Sequence, residues 1–273
     1  MNIRNATCRT LDTCLRRRLK PFEAADWTAS AIIFAPHPDD EILGCGGVAS
    51  KKIAAGAELH FVFVTDGAAS HNGRVAPEVL RRQRRCEAIE AVRRLGGSAD
   101  QITFLEMPDG KAADHADSIV AAVAQLLCAW RPQSIFVVHS ADPAGDHLTV
   151  NASVLHAARA YARPVTIYEY PIWYWYHWPW VRVSGDVPGR WRKTLRQSIL
   201  TAAGLRSLFM LNSRADITDA LDIKRHALAA HRSQTMRPPE QADWPILSDL
   251  AGGDFIARLL ADYEAFMRYE LNA

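Results

Sequence analysis

No stretch of these 273 residues reads as a membrane span. The most apolar late segment, SILTAAGLRSLFML (198–211), is interrupted by Gly204 and Arg206 and is too short for a bilayer core. A secretion signal is also lacking: the first 27 residues carry early arginines and no apolar run of signal-peptide length. There is no C-x-x-C pair either. The five cysteines (Cys8, Cys14, Cys45, Cys86, Cys128) are odd in number and scattered, which argues against a disulfide framework and for reduced thiols. A cytoplasmic location is therefore expected. Charge of one sign is absent too: 32 Lys and Arg face 30 Asp and Glu, so no global field recruits nucleic acid. The local basic runs at 16–20, 81–85 and 190–196 read as solvated helix faces. No internal repeat or low-complexity segment is found. A 49% hydrophobic content implies a folded globular protein, and the length suits one large domain or a compact two-part arrangement.

What is present has a strong rhythm. After a basic N-terminal extension (1–27), residues 28–273 read as a single domain. Apolar runs at 31–35, 59–67 and 101–110 (the last two closing in turns), 133–140 and 165–172 alternate with helical patterns at 77–97, 116–130 and about 148–161. That alternation predicts βαβ units: an α/β, Rossmann-like, mostly parallel sheet flanked by helices. Ligands in such sheets bind beyond the carboxyl ends of the strands. The polar clusters fall at those ends: His37 to Glu41, Asp66, Asp109, and His139 to His147. The aromatic run YPIWYWYHWPW (170–180) breaks the rhythm. It reads by default as core packing, with sugar stacking and a membrane-interface surface as alternatives. The last third reads as mainly helical.

The densest chemistry lies in AIIFAPHPDDEILGCGG (31–47). A bare Asp-Asp-Glu would read as a capped helix start; the histidine before it and the glycines after it favour a metal site. A catalytic zinc needs about three protein ligands and an open position. His37 and Asp40, three apart at a strand-to-helix junction, can aim at one point. Asp39 points elsewhere and is free for other work. A third ligand must come from another strand end, and the loop DPAGDH offers His147. Asp146 either caps the following helix or orients a ligand histidine. Glu41 supports the helix start or a ligand. Asp66 is a turn residue or part of the pocket. A dication and a helix N-terminus would together offset the crowded acids. The same donor set suits Fe2+.

PHPDDE followed by GCGG, then DPAGDH, resembles the PIG-L/LmbE family of metal-dependent N-deacetylases. RRCEAIEAVRRLGG resembles the family's Arg-x-x-Glu helix, MPDG its next strand end, and KRHALAAHRSQ (224–234) its late Lys…His…Gln segment. The matches run from about residue 30 to 235. The resemblance implies His37, Asp40 and His147 as zinc ligands and Asp39 as general base. It also implies Arg84 and Asp109 as sugar contacts, with Lys224, His231 and Gln234 bracing the site. One departure stands out: Ala144 occupies a position where many members carry histidine, with His139, His177 and Tyr174 as candidate substitutes.

The implied activity is removal of the acetyl group from an N-acetylated amino sugar in a glycan precursor, glycolipid or small conjugate, giving acetate and a free amine. The alternatives are hydrolysis of another N-acyl amide, and a glycan-binding protein with weak or no catalysis, which Ala144 motivates. Peripheral membrane contact is compatible with the sequence; a nucleic-acid partner is not expected.

Overall fold

The computed structural model describes residues 3–71, 73–183 and 190–272. The first half runs α1 (Ile3–Arg18), β1 (Lys20–Pro21), α2 (Ala24–Thr28), β2 (Ala31–Ala35), α3 (Asp40–Ala54), β3 (Leu59–Thr65), α4 (Pro77–Arg94) and β4 (Ile102–Met107). Then come α5 (Ala116–Trp130), β5 (Ser134–Val138), α6 (Gly145–Arg159) and β6 (Val165–Tyr170). The last part holds α7 (Arg190–Leu200), α8 (Ser207–Met210), β7 (Ser213–Asp216), α9 (Leu221–Leu228), α10 (Arg232–Thr235), α11 (Asp254–Leu259) and β8 (Tyr263–Leu271). No helix among the described residues is long and apolar enough to cross a membrane.

All eight strands join one sheet in the order β1-β7-β8-β6-β5-β2-β3-β4. Every neighbouring pair is parallel except those made by β8, which runs antiparallel to both β6 and β7. The apolar run of β2 is buried at all five positions, as a central parallel strand requires. Its side chains alternate between two cores. Ile33 and Ala35 pack with Leu15, Val48, Val92 and Leu228 from α1, α3, α4 and α9. Ile32 and Phe34 pack with Val123, Leu127, Val150 and Val154 from α5 and α6. The chain moves outward from β2 through β3 to β4, then returns to β5 on the other side of β2. The crevice between the carboxyl ends of β2 and β5 is therefore the switch point where α/β sheets bind ligands.

Two regions depart from the sequence expectation. The last third is not only helical: it adds β7 and the nine-residue β8 to the sheet. The residues YEAFMRYEL favour helix intrinsically, but pairing along β6 and β7 overrides that preference. The segment expected as a basic extension contains a 16-residue helix; Met1 and Asn2 lie outside the described residues. Leu11, Leu15 and Leu19 are buried in the same core as β2, and Lys20–Pro21 pairs with β7. The aromatic run is mostly core, with Tyr170, Tyr174, Trp175 and Trp180 buried.

Helix α3 is broken in its middle, at the glycines. Cys45 has non-helical torsions (φ −147°, ψ 23°). Beyond the break, the Gly47 and Val48 amides donate to the two carboxylate oxygens of Glu264 on β8, each at 2.8 Å. Before it, Lys224 Nζ donates to the Leu43 carbonyl (3.1 Å) and to Glu264 (2.7 Å). One buried ion pair thus satisfies both orphan ends of the break. A side chain at Gly44 would meet the Tyr170 ring at 2.1 Å, and one at Gly47 would meet Ile217 at 2.6 Å, so the helix needs its glycines to sit this close. Lys224→Met, which strands a buried carboxylate, is expected to lower unfolding free energy by about 3–5 kcal/mol. Lys224→Met/Glu264→Gln should recover part of that loss. Urea denaturation checks both, and equal losses would show that the pair is not coupled.

Candidate metal centre

The turn from β2 into α3 presents His37, Asp39 and Asp40, and the turn from β5 into α6 presents His147. His37 Nδ1, Asp40 Oδ2 and His147 Nε2 form a triangle with every side 3.3 Å. Donors bound tetrahedrally to one ion at about 2.0–2.1 Å would stand about 3.3–3.4 Å apart. The residues present therefore fit a metal of zinc's size and preference. His37, Asp109 and Asp146 form a second cluster of potential donors, sharing His37 with the first.

Each histidine is also held from its other side. His147 Nδ1 donates to Asp142 Oδ2 at 2.9 Å, and Asp142 in turn accepts the Tyr174 backbone N–H. His37 Nε2 lies 3.1 Å from Asp109 and 3.3 Å from Asp146. Carboxylates on the far nitrogens orient metal-ligating histidines and raise their basicity. Asp146 additionally accepts the backbone N–H groups of Gly110 (2.7 Å) and Ala112 (3.1 Å), tying α6 to the loop after β4.

Electrostatics follow from this crowding. Burial disfavours charge on His147, but Asp40 and Asp142 beside it push the imidazole up to about 9. Burial likewise opposes a charged His37, and Asp109, Asp146 and Asp40 overcome it, raising its pKa well above normal. Asp40 is buried, yet His147 and His37 hold its carboxyl far below the usual range. The surrounding carboxylates therefore favour the protonated forms of both histidines.

Asp39 sits apart from the triangle, with φ at 137°, a conformation that costs a non-glycine residue about 1–3 kcal/mol. Its backbone N–H donates to Glu41 Oε2 (2.8 Å), and Glu41 Oε1 accepts from His231 Nε2 (2.7 Å). Arg84 pairs with Asp39 Oδ1 at 3.2 Å and donates to the Pro38 and Gly67 carbonyls. Burial pushes the Asp39 carboxyl up to about 6, although Arg84 pulls it down.

These groups open onto a cleft of about 250 Å³ lined by His37, Asp39, Asp40, Arg84, Asp109, Trp173, Gln234 and Phe255, among others. Trp173 stacks on Phe255 with ring centroids 4.9 Å apart, giving the cleft an aromatic wall. Of the residues expected to touch substrate, Arg84 and Asp109 line the cleft, although most of Arg84 is committed to holding Asp39. Asp66 does not line it. Its carboxylate accepts from the Ala68 and Asp109 amides, fixing the loop that presents Asp109. Ala144 also faces elsewhere, into a second cleft across Trp173. His139, His177 and Tyr174 are buried and line neither cleft.

Sequence reasoning missed Asp142 and the role of Glu87. Asp142 stands five residues before His147, a spacing without helical periodicity, and only the fold of the loop brings the two together. Glu87 holds the Ser233 N–H (2.8 Å) and hydroxyl (2.6 Å), and so places Gln234 on the cleft wall.

Residues 32–158 match the model of the PIG-L family, described as GlcNAc-PI de-N-acetylase. The match contains both halves of the triangle. A curated protein similar to this chain is the 1D-myo-inositol 2-acetamido-2-deoxy-alpha-D-glucopyranoside deacetylase of Rhodococcus jostii (strain RHA1). It is 25% identical over 262 residues, covering 79% of this chain and 85% of that protein. Among solved structures, N,N'-diacetylchitobiose deacetylase from Pyrococcus horikoshii superposes with a TM-score of 0.63 at 18% identity, covering 98% of this chain and 93% of its own. The 4-carboxy-2-hydroxymuconate hydratase GalB from Pseudomonas putida KT2440 also matches, with a TM-score of 0.58 at 16% identity, covering 90% of this chain and 97% of its own. At such identities the structural likenesses show a shared fold.

Because the surrounding carboxylates raise the proton affinity of His37 and His147, metal uptake must displace protons from them. Zinc binding is expected to release about two protons and to tighten as pH rises from about 6 to about 8. Calorimetric titration in buffers of differing ionisation enthalpy reads this directly. Asp142→Asn should weaken zinc binding by about 10- to 100-fold; unchanged affinity would show that Asp142 does not tune His147.

Proposed function

We propose that this chain is a zinc-dependent N-deacetylase that removes the acetyl group from an N-acetylated amino sugar carried in a glycan precursor, glycolipid or small conjugate. One observation carries the reading: three donors arranged for a tetrahedral ion, two of which, His37 and Asp40, line one cleft with Asp39, which is not among the donors. The printed activity of the Rhodococcus relative, deacetylation of an acetamido sugar, supports the same class of substrate.

On this reading His37, Asp40 and His147 hold the metal. When bound, zinc lowers the pKa of water to about 7 and polarises an amide carbonyl. Asp39 is the general base. It takes a proton from the attacking water and delivers it to the amide nitrogen as the C–N bond breaks, leaving acetate and a free amine. Its strained backbone and the Arg84 ion pair hold the carboxylate toward the cleft instead of into the ligand triangle. Burial keeps its affinity for a proton above that of an ordinary aspartate, which suits a group that must accept and then return one. Arg84 and Gln234 line the cleft wall beside Asp39. Asp109 faces the sugar, and Asp66 acts through it. The Trp173–Phe255 stack offers a surface for the C–H face of a sugar ring. All five cysteines are free, which suits the reducing, cytoplasmic setting we assign to the protein.

Incubation with N-acetylglucosamine and its conjugates should release acetate, with loss on chelation and recovery on adding zinc. Metal analysis of the purified protein distinguishes zinc from Fe2+. Asp39→Asn should lower kcat by about 10²- to 10⁴-fold while zinc binding is retained. Wild-type turnover in that variant would remove Asp39 from the chemistry. Preferential release of a longer acyl group would redirect the reading to another amide, and sugar binding without acetate would make the chain a binding protein.

A further inference from the structure

Helix α7 is amphipathic in the wrong sense. A surface helix normally turns its apolar stripe to the core and its polar face to water. Here Thr194 and Ser198, one turn apart, are buried against the protein, where Ser198 Oγ accepts the Trp178 N–H (2.9 Å) and donates to the Thr194 carbonyl (2.7 Å). Trp191, Leu195 and Ile199, also one turn apart, point to solvent, Ile199 with 71% of its surface exposed. Exposed apolar side chains continue at the last helical residue, Leu200, and beyond it at Leu205 and Phe209, the last 72% exposed. Burying these groups would be favourable by about 25 cal/mol per Å², so a continuous run of them in water needs an explanation.

From Arg190 to Ala215 every charged residue is basic. Arg192, Lys193 and Arg196 flank it on α7, Arg206 follows, and Arg18 of α1 lies over the Phe209 ring at 5.2 Å. No Asp or Glu occurs between residues 187 and 215. Lys193 and Arg196 form no ion pair with any described residue; instead they line the second cleft, about 350 Å³, with Ala144, Trp173, Tyr176 and Gln197. Trp173 is also a wall of the candidate metal centre.

We propose that the face formed by α7 and α8 docks on a bilayer surface carrying anionic headgroups. Trp191, Leu195, Ile199, Leu200 and Phe209 enter the boundary between headgroups and acyl chains, and the flanking cations pair with the anionic headgroups. An apolar stripe bordered by Lys and Arg is the pattern of helices that lie in a membrane interface. Charge complementarity selects this occupant over a second copy of the chain, since two such faces would oppose like charges. On the reading of the site proposed above, docking brings the cleft that shares Trp173 to headgroup level.

The test is flotation of the full chain with vesicles of phosphatidylcholine alone and of phosphatidylcholine mixed with phosphatidylglycerol. Binding is expected to the mixed vesicles only, and it should weaken as salt is added. That composition and salt dependence of the unaltered protein tests the proposal without any variant. Leu195→Glu/Ile199→Glu should reduce binding at least tenfold. Neutralising Arg192, Lys193 and Arg196 to Gln should reduce it by about fivefold per charge. The Leu195→Glu/Ile199→Glu variant should keep the wild-type melting temperature and turnover of a soluble substrate, because the side chains changed are exposed. The proposal is overturned by absent binding, by equal binding to neutral vesicles, by binding indifferent to the variants, by a dimer that Leu195→Glu/Ile199→Glu splits, or by preference for duplex DNA. Binding without acetate release would sink the proposed activity alone; acetate release from soluble sugars without vesicle binding would sink the docking alone.

Discussion

Six carboxylates meet in the crevice where β2, β4 and β5 end: Asp39, Asp40, Glu41, Asp109, Asp142 and Asp146. Burying that much negative charge is prohibitive unless each group is matched. The matching accounts for most of the local structure. Asp40 faces two histidines, Asp142 holds one of them from behind, and Asp109 and Asp146 hold the other. Glu41 is taken by His231 and the Asp39 amide, and Asp39 by Arg84. Backbone amides from the loop after β4 absorb what remains on Asp146. A dication would complete a balance that the protein, without one, keeps by raising the proton affinity of its histidines.

The sheet explains why these groups meet there. Strands β2 and β5 are neighbours in space but separated in sequence by two βαβ units, so their following loops diverge and leave a crevice. Asp39 then occupies a special place in it. The φ of 137° turns its carboxylate away from the ligand triangle, and that torsion persists because Glu41 and Arg84 grip the turn from both sides. The proposed base and the proposed ligands are adjacent in sequence yet separated in role by one unusual torsion.

Much of this was legible in the sequence, for local reasons. The alternation of apolar runs and helical patterns located the five parallel strands from β2 to β6, and the three-residue step from His37 to Asp40 located two corners of the triangle. His147 was legible as a polar residue at another strand end. What escaped depends on distant partners. Strand β8 carries helix-favouring residues and becomes a strand only by pairing with β6 and β7. Asp66 could be read as a turn residue or a pocket residue because turn acids and site acids share one signature; its amide partners exist only in the folded loop. Asp142 and Glu264 are single acids with no pattern around them, made important by a histidine and a helix break elsewhere. The exposed stripe of α7 was hidden for the opposite reason, since its spacing is that of an ordinary buried face.

The broken helix α3 has a consequence in time. The amides of Gly47 and Val48 wait for a carboxylate that lies 217 and 216 residues further along the chain. Synthesis runs at about 5–20 residues per second. For at least ten seconds or so, a nascent chain therefore carries the His37–Asp40 turn without the strand that secures its helix. The His37–Asp40 turn, which supplies two donors of the proposed metal site, is thus made long before the strand that secures it.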